Sequence, residues 1–174
     1  MRPSSKTLIL EAAMRVAEND GITSVTLDSV AEAAGLTKGG LLYHFRTRDA
    51  LMLAIQRHIA DCWEEKLLAA LGKPVEESTQ QERLAAYTKV SVDGASRADL
   101  VFVLESVGKP ELCEPWNTMI ERWSPDMTEL DLFVAWLAAD GLWLYEVSMG
   151  TTFSPELRTA LTERISALAA PADG

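Results

Sequence analysis

The sequence predicts an all-α protein of about nine helices. Three observations carry that expectation. Apolar residues recur at helical spacing, as at Leu8, Ala12 and Val16. Alternating runs of strand type are nearly absent. Gly and Pro cut the 174 residues into lengths that suit helices. With 48% apolar residues the chain holds enough material for a core, which excludes a disordered chain.

The first helix lies in "SSKTLILEAAMRVAEND" and stops at Gly21, a helix-ending glycine. Thr26 caps a second over 27–34, with Asp28 in its first turn and Gly35 closing it. Thr37 starts a third, short helix to about Tyr43. Thr47 caps a fourth over 47–71, which ends before Gly72 and Pro74. Five more are expected near 76–95, 98–108, 111–123, 127–149 and 154–169, with Pro110, Pro125 and Pro155 at the joins.

The second and third helices have the proportions of a helix-turn-helix. Ala31 is small where two helices cross closely, and Gly35 follows four residues later, where the turn needs positive φ. Val30, Ala34, Leu36 and Leu41 supply the inner face. Two short helices on a glycine turn form the unit whose second helix enters the DNA major groove.

Charge agrees with that reading. The net charge is −10, yet residues 1–48 hold six Lys and Arg against five acids, and residues 49–174 hold ten against twenty-one. Such asymmetry points to one segment that meets an anionic partner. Within it, "LTKGGLLYHFRTRDAL" places two glycines in a helix, each costing ~1 kcal/mol relative to alanine. A tight contact inside the domain is one explanation. The other is close approach of Gly39 and Gly40 to DNA, which a Cβ would prevent. Lys38 reaches a guanine edge or a phosphate. Thr26, Thr37, Tyr43 and His44 are candidate donors to phosphate oxygens. Thr47 and Arg48 set a hydroxyl, backbone N–H groups and a cation at a helix N-terminus, a natural phosphate site.

Residues 5–51, with the text "ILEAAMRVAENDGITSVTLDSVAEAAGLTKGGLLYHFRTRDAL", resemble the DNA-binding domain of the TetR family of transcriptional repressors. The likeness rests on Gly, a few residues, Tyr-His-Phe, a cap and a basic residue. It implies DNA contacts at Thr26, Thr37, Lys38, Gly39, Gly40, Tyr43, His44 and Arg48. It also implies a DNA-binding domain over 1–48 and a ligand-binding and dimerisation domain over 49–174. This chain departs from the family pattern in two places. Leu42 stands where many relatives carry an aromatic phosphate contact, and Arg46 where Pro or a small residue is common. Gly40 also lacks a side chain at a position often used for base choice, so sequence preference falls to Lys38, backbone contacts and DNA shape.

The helix near 127–149 is apolar nearly all round, and such a helix must be buried on every face. A second subunit is the economical source of that burial, with Ala138, Ala139 and Gly141 small enough for close crossing. Together with 154–169 it is expected to form half of a four-helix homodimer interface. A twofold protein suits a near-palindromic operator with half-sites one or more turns, ~34–36 Å, apart.

Five tryptophans are many for this length. Core packing accounts for most of them, but an indole N–H needs a partner. Glu105 and Asp140 also sit inside apolar runs, where a carboxylate is costly unless paired. Aromatic faces with one or two carboxylates would suit a flat lipophilic cation. "ADCWEEKL", "PWNTMIERW" and "LAADGL" resemble segments of actinobacterial TetR-type regulators of multidrug efflux (CgmR-like). That resemblance implies ligand contacts at Trp63 and Trp116 first, then Phe102, Glu105, Asp140 and Trp143. The expected function is a repressor released from its operator by ligand, cytoplasmic and nucleoid-associated, controlling an efflux gene.

Rival readings are a regulator of the same type sensing an endogenous metabolite, a small all-helical enzyme, and a protein-interaction module. No Ser/His/Asp or Cys/His set is legible. The two cysteines, Cys62 and Cys113, and the two histidines show no zinc spacing, so no metal or cofactor is expected. The most apolar window, 130–149, contains Asp131, Asp140 and Glu146, which argues against a membrane span.

Overall fold

The computed structural model describes residues 4–94 and 96–169. Residue 95, at the end of the expected helix 76–95, and the outer ends of the expected domains 1–48 and 49–174 lie outside the described residues. Among the described residues the fold is all-α, with nine α-helices and two short 3₁₀ turns. They form two compact units: one runs to Asp61 and adds Arg97–Asn117, and the other holds Cys62–Ser96 and the chain from Thr118. The functional division expected at 48/49 therefore does not coincide with the compact units. α4 and α7 each contribute to both.

In the first unit, α1 (Ser5–Asp20) is capped by Ser4, whose hydroxyl accepts from the Thr7 N–H at 3.1 Å. Its buried face is Ile9, Leu10, Ala12, Ala13, Val16 and Ala17. The alanines let α2 (Leu27–Ala33) pack closely against it, and α3 (Lys38–His44) packs on α2. α4 (Arg48–Leu71) begins in this unit and buries Leu51, Met52, Ile55 and Ile59. Gln56 of α4 is buried too. Its amide donates to the Phe102 carbonyl of α6 (Arg97–Ser106) at 2.6 Å, which satisfies a group that would be costly alone. Glu18 of α1 accepts the Ala98 N–H at the start of α6, at 2.6 Å.

In the second unit, α5 (Gln80–Gly94) packs along α8 (Leu130–Met149), and α9 (Pro155–Leu168) packs against both. Arg158 of α9 ties them, donating to the Val92 carbonyl at 2.8 Å and to the Glu146 carboxylate at 2.7 Å. Arg122 of α7 (Pro110–Trp123) pairs with Glu64 and Glu76.

Several boundaries differ from expectation, α6 ending at Ser106 rather than 108 among them, and the starts of α5, α8 and α7 have local reasons. α5 starts at Gln80 rather than 76, because Thr79 and Glu82 form a capping box: each side chain accepts the other's backbone N–H. Lys73 pairs with Glu82 as well, and Lys73 first, then the Thr79 N–H, hold that carboxyl down at about 2. α8 starts at Leu130 rather than 127, because the Asp126 carboxylate accepts from the Thr128 N–H and hydroxyl, both at 2.8 Å, and holds a turn there. Pro110 opens α7 from inside its first turn, where its missing N–H costs nothing.

Candidate nucleic-acid interface and aromatic core

The helix-turn-helix is built from its caps. The Thr26 hydroxyl accepts from Ser29 N–H at 3.1 Å while the Ser29 hydroxyl accepts from Thr26 N–H at 3.0 Å. Gly35 turns the chain at φ 67°, and Leu36 N–H donates to the Ala31 carbonyl at 2.9 Å. Val30, Ala31 and Leu41 are buried, as their spacing predicts. Thr37 caps α3 by accepting from Gly40 N–H at 3.1 Å. That bond uses an oxygen lone pair and leaves the hydroxyl proton to donate outward. Thr26 differs, because its hydroxyl is also engaged with the Ser29 hydroxyl at 2.9 Å.

The two glycines have no internal justification. A Cβ at Gly39 would meet only Thr37 Oγ1, at 4.0 Å, and one at Gly40 would meet Thr37 Oγ1 at 3.4 Å and Leu36 Cβ at 3.9 Å. Neither glycine has positive φ. Among the described residues, then, nothing closer than an ordinary van der Waals contact supports the tight-contact explanation. Around them, Tyr43 is 86% exposed and His44 is exposed, with their rings edge to face at 5.2 Å. Lys38 pairs with Asp28 at 2.9 Å, both side chains well exposed. Such a pair is worth only ~0–1 kcal/mol and exchanges readily for a stronger acceptor. Arg48 donates Nε–H to the Val25 carbonyl at 3.0 Å, which fixes the guanidinium and leaves its two terminal nitrogens. The Thr47 hydroxyl accepts from Ala50 N–H at 3.1 Å and caps α4. All nine expected DNA contacts thus lie in one unit; Thr26, Thr37 and Thr47 all cap helices, and of the three only the Thr26 hydroxyl is also engaged by a second side chain, that of Ser29.

The expected ligand contacts divide between the units. In the second unit, Trp63 of α4 lies 5.7 Å from Trp143 of α8 and 6.1 Å from Tyr87 of α5, ring centre to ring centre. Tyr87 stacks on Trp136 at 3.6 Å. The Tyr87 hydroxyl donates to Asp140 Oδ1 at 2.5 Å. Burial pushes the Asp140 carboxyl above the usual carboxylate range, while hydrogen bonds from Tyr87 and Trp136 pull it back. Burial, then the Asp140 charge, raises the Tyr87 phenol well above its ordinary value, so the proton stays on the tyrosine at neutral pH. The buried indole N–H of Trp143 makes no hydrogen bond among the described residues, an arrangement costing ~1–3 kcal/mol. The remaining three expected contacts belong to the first unit. Phe102 is fully buried, Glu105 pairs with Lys109 at 2.5 Å, and Trp116 is half-buried on α7.

Tyr87 and Trp136 complete this core and were not among the expected residues. A sequence signal for Tyr87 exists: Leu84, Tyr87, Thr88 and Ser91 follow helical spacing, and all four are buried. Three hydroxyl residues on the buried stripe of a short polar helix mark a polar core. Among the described residues no group of three His, Cys, Asp or Glu gathers as a metal site.

α8 presents a third surface. Leu130 (67% exposed), Val134, Leu137, Leu144 and Tyr145 form a stripe at helical spacing, with exposed Gly141 between them. Within one chain only the face carrying Leu132, Ala135, Trp136, Ala139 and Trp143 is covered, so burial of the other face needs a partner. α8 is long and apolar enough to cross a membrane by length and composition. Its covered face and its Asp140–Tyr87 bond instead tie it to a helical core.

Residues 81–170 match the family model for the tetracyclin repressor-like C-terminal domain, and residues 9–55 match that of the bacterial regulatory proteins of the tetR family. The chain belongs to the TetR family. Members of this family are non-enzymatic transcription factors, and the all-α architecture with an N-terminal helix-turn-helix agrees. This TetR-family chain is 38% identical to the HTH-type transcriptional regulator RutR of Escherichia coli (strain K12) over 66 residues, or 38% of the chain and 31% of RutR. It thus spans about a third of the length of that relative. BetI of Cronobacter sakazakii is 26% identical over 180 residues, covering 93% of this chain and 89% of BetI. The fold of this chain is shared by the multidrug binding protein EbrR. The EbrR complex with imidazole gives a TM-score of 0.63 at 23% identity, covering 99% of each chain. The complex with ethidium gives 0.60 at 22%, covering 97% of this chain and 99% of that one.

Proposed function

We propose that this TetR-family protein is a cytoplasmic, nucleoid-associated homodimeric repressor. It binds a near-palindromic operator and is released by a small lipophilic cation, controlling a multidrug efflux gene. One observation carries the DNA half of this reading: Gly39 and Gly40 spend helix stability on a surface where a Cβ would meet almost nothing in the chain. The benefit must then lie outside the chain, and a duplex pressed against the α3 backbone supplies it. Lys38 contributes base choice, and Thr37, Tyr43, His44, Thr47 and Arg48 hold phosphates. Thr26 shapes the start of α2. The unpartnered stripe on α8, continued by exposed Leu157 on α9, supports pairing of two copies there.

Trp63, Tyr87, Trp136 and Trp143 around the Asp140 carboxylate support a flat cationic ligand, held by stacking and by charge. Ethidium, which EbrR binds, has that chemistry. Phe102, Glu105 and Trp116 are secondary candidates. A second reading, an endogenous metabolite bound in the same core, draws on the unpaired Trp143 N–H, which calls for a hydrogen-bond acceptor that ethidium lacks. Calorimetry with dyes and with acyl thioesters separates the two. The central test is selection of binding sites from random duplex DNA, with and without ethidium. The reading requires a two-fold symmetric sequence that loses enrichment when the dye is present; a pool without enrichment at low salt refutes it.

A further inference from the structure

We propose that the cleft lined by α1 and the first half of α4 is a second small-molecule site, in the DNA-reading unit itself, selective for amphipathic monoanions such as medium-chain carboxylates. The cleft measures about 530 Å³, within the range of sites that hold small ligands. Its lining is sorted along α4. Ala50, Leu53 and Ala54, with Phe45 just before the helix, make one end apolar, and Arg57 and His58 make the other polar. α1 adds Lys6 and Thr7 to the polar lining and Leu10 to the apolar lining. Eleven residues of helix span ~16 Å, enough for a chain of several carbons with a charged head.

The charge of the cleft is the second observation. The chain carries 26 acids against 16 Lys and Arg, and at least nine of those cations are bound to a carboxylate or a carbonyl. Lys6 and Arg57 have neither kind of partner among the described residues. Asp61 also lines the cleft, one turn beyond Arg57, and forms no ion pair with it. Two unengaged cations at an apolar trough suit a carboxylate headgroup, with the Thr7 hydroxyl, bonded to the Ser4 hydroxyl at 2.8 Å, beside them: the cations would hold the head, and Leu10, Phe45 and Leu53 would cover the tail. The apolar end adjoins the DNA-contact segment. Phe45 is the C-cap of α3, its N–H bonded to the Leu41 carbonyl at 2.9 Å, and Ala50 N–H is bonded to the Thr47 hydroxyl. An occupant there meets residues that hold α3 and the start of α4, so its binding and operator binding are linked.

The test uses the full chain and octanoate as probe, by calorimetry, with octyltrimethylammonium and inorganic phosphate as controls. Saturable binding of one octanoate per chain is expected, with at least tenfold weaker binding of both controls. The double variant Lys6→Glu with Arg57→Glu should lose octanoate binding by tenfold or more while keeping the helical circular dichroism of the parent. Lys6→Gln with Arg57→Gln gives the milder loss if the glutamates disturb folding. Asp140→Asn should leave octanoate affinity unchanged, which separates this site from the aromatic core whatever the fate of the proposed cation sensing. Equal binding of octanoate by parent and double variants overturns the proposal, as does displacement of octanoate by ethidium. Phosphate binding as tight as octanoate would mean a bare charge site, and loss of random-DNA binding by the octanoate-free double variant would mean that these cations serve DNA phosphates; either result also overturns it.

Discussion

Gly39→Ala should make the protein more stable and a worse DNA binder. Gly39 is the second residue of α3 and has ordinary negative φ, so alanine fits its backbone. The added Cβ meets only Thr37 Oγ1 at 4.0 Å, so no steric cost offsets the gain. Replacing glycine in a helix gains ~0.5–1 kcal/mol. In a chain of this size that raises the melting temperature by roughly 1–4 °C. The same methyl group would stand between the α3 backbone and a base edge. Loss of that close approach should weaken operator binding tenfold or more, equivalent to ~1.4 kcal/mol. Differential scanning calorimetry measures the first effect and fluorescence anisotropy with a labelled operator the second. A variant that gains stability and binds the operator as tightly as the parent would show that the doublet does not serve DNA approach. Gly35→Ala is the contrasting control: at φ 67° it should lose ~1–2 kcal/mol of stability.

Lys38→Ala should relax sequence choice at a cost of ~1–3 kcal/mol for the best site, read by competition between operator and random DNA. Arg48→Ala should weaken binding to all sequences and lower the salt slope by about one unit. It should also lower the melting temperature, because the bond to the Val25 carbonyl is lost. Leu137→Arg should shift the protein toward monomer in sedimentation equilibrium and cost operator affinity, while leaving the helix content unchanged. Asp140→Asn should abolish binding of cationic dyes and change the pH profile of stability. The folded-state carboxyl is raised by burial, so the folded protein holds the proton more tightly than the unfolded chain. Its contribution is fully present below the unfolded value of ~3.9 and is lost as pH rises through the folded value. The stability of Asp140→Asn relative to the parent should therefore rise with pH across that window and then level off. A relative stability that falls across it would mean that the Tyr87 and Trp136 bonds outweigh burial.

The helix-turn-helix was legible because its determinants are local. Thr26, Gly35, Thr37 and Thr47 act within four residues of themselves, so their spacing in the sequence already states their geometry. The start of α5 is local too: the signal Thr79-Gln80-Gln81-Glu82 fixes it at Gln80, four residues after the expected position. The aromatic core was half legible. Trp63, Asp140 and Trp143 stood out by residue type, whereas Tyr87 joins them across 53 positions through one hydroxyl. Only the packing of α5 on α8 brings that pair together. Trp116, expected beside Trp63 as a first contact, and the weaker candidates Phe102 and Glu105 fall in the other compact unit.

On the proposed reading, the closed state of this core has a consequence for induction. Trp63 and Tyr87 are each 1% exposed, and Tyr87 already occupies Asp140. A cation that stacks between these rings and takes Asp140 Oδ1 must displace the tyrosine hydroxyl and part the rings. Binding therefore includes the work of opening, and the ligand selects the opened state by as much as its contacts exceed that work. A ~100-fold preference for the opened state corresponds to ~2.7 kcal/mol per site. Of the helices that supply these rings, α5 and α8 lie wholly in the second unit, while α4 continues from Trp63 back to Arg48 in the first. Tyr87→Phe distinguishes a tyrosine that blocks the site from one that builds it. If the hydroxyl is a blocker, its removal tightens ethidium binding and lowers the dye concentration that releases the operator. If dye affinity falls instead, the phenol is part of the binding surface and the cost of opening arises elsewhere.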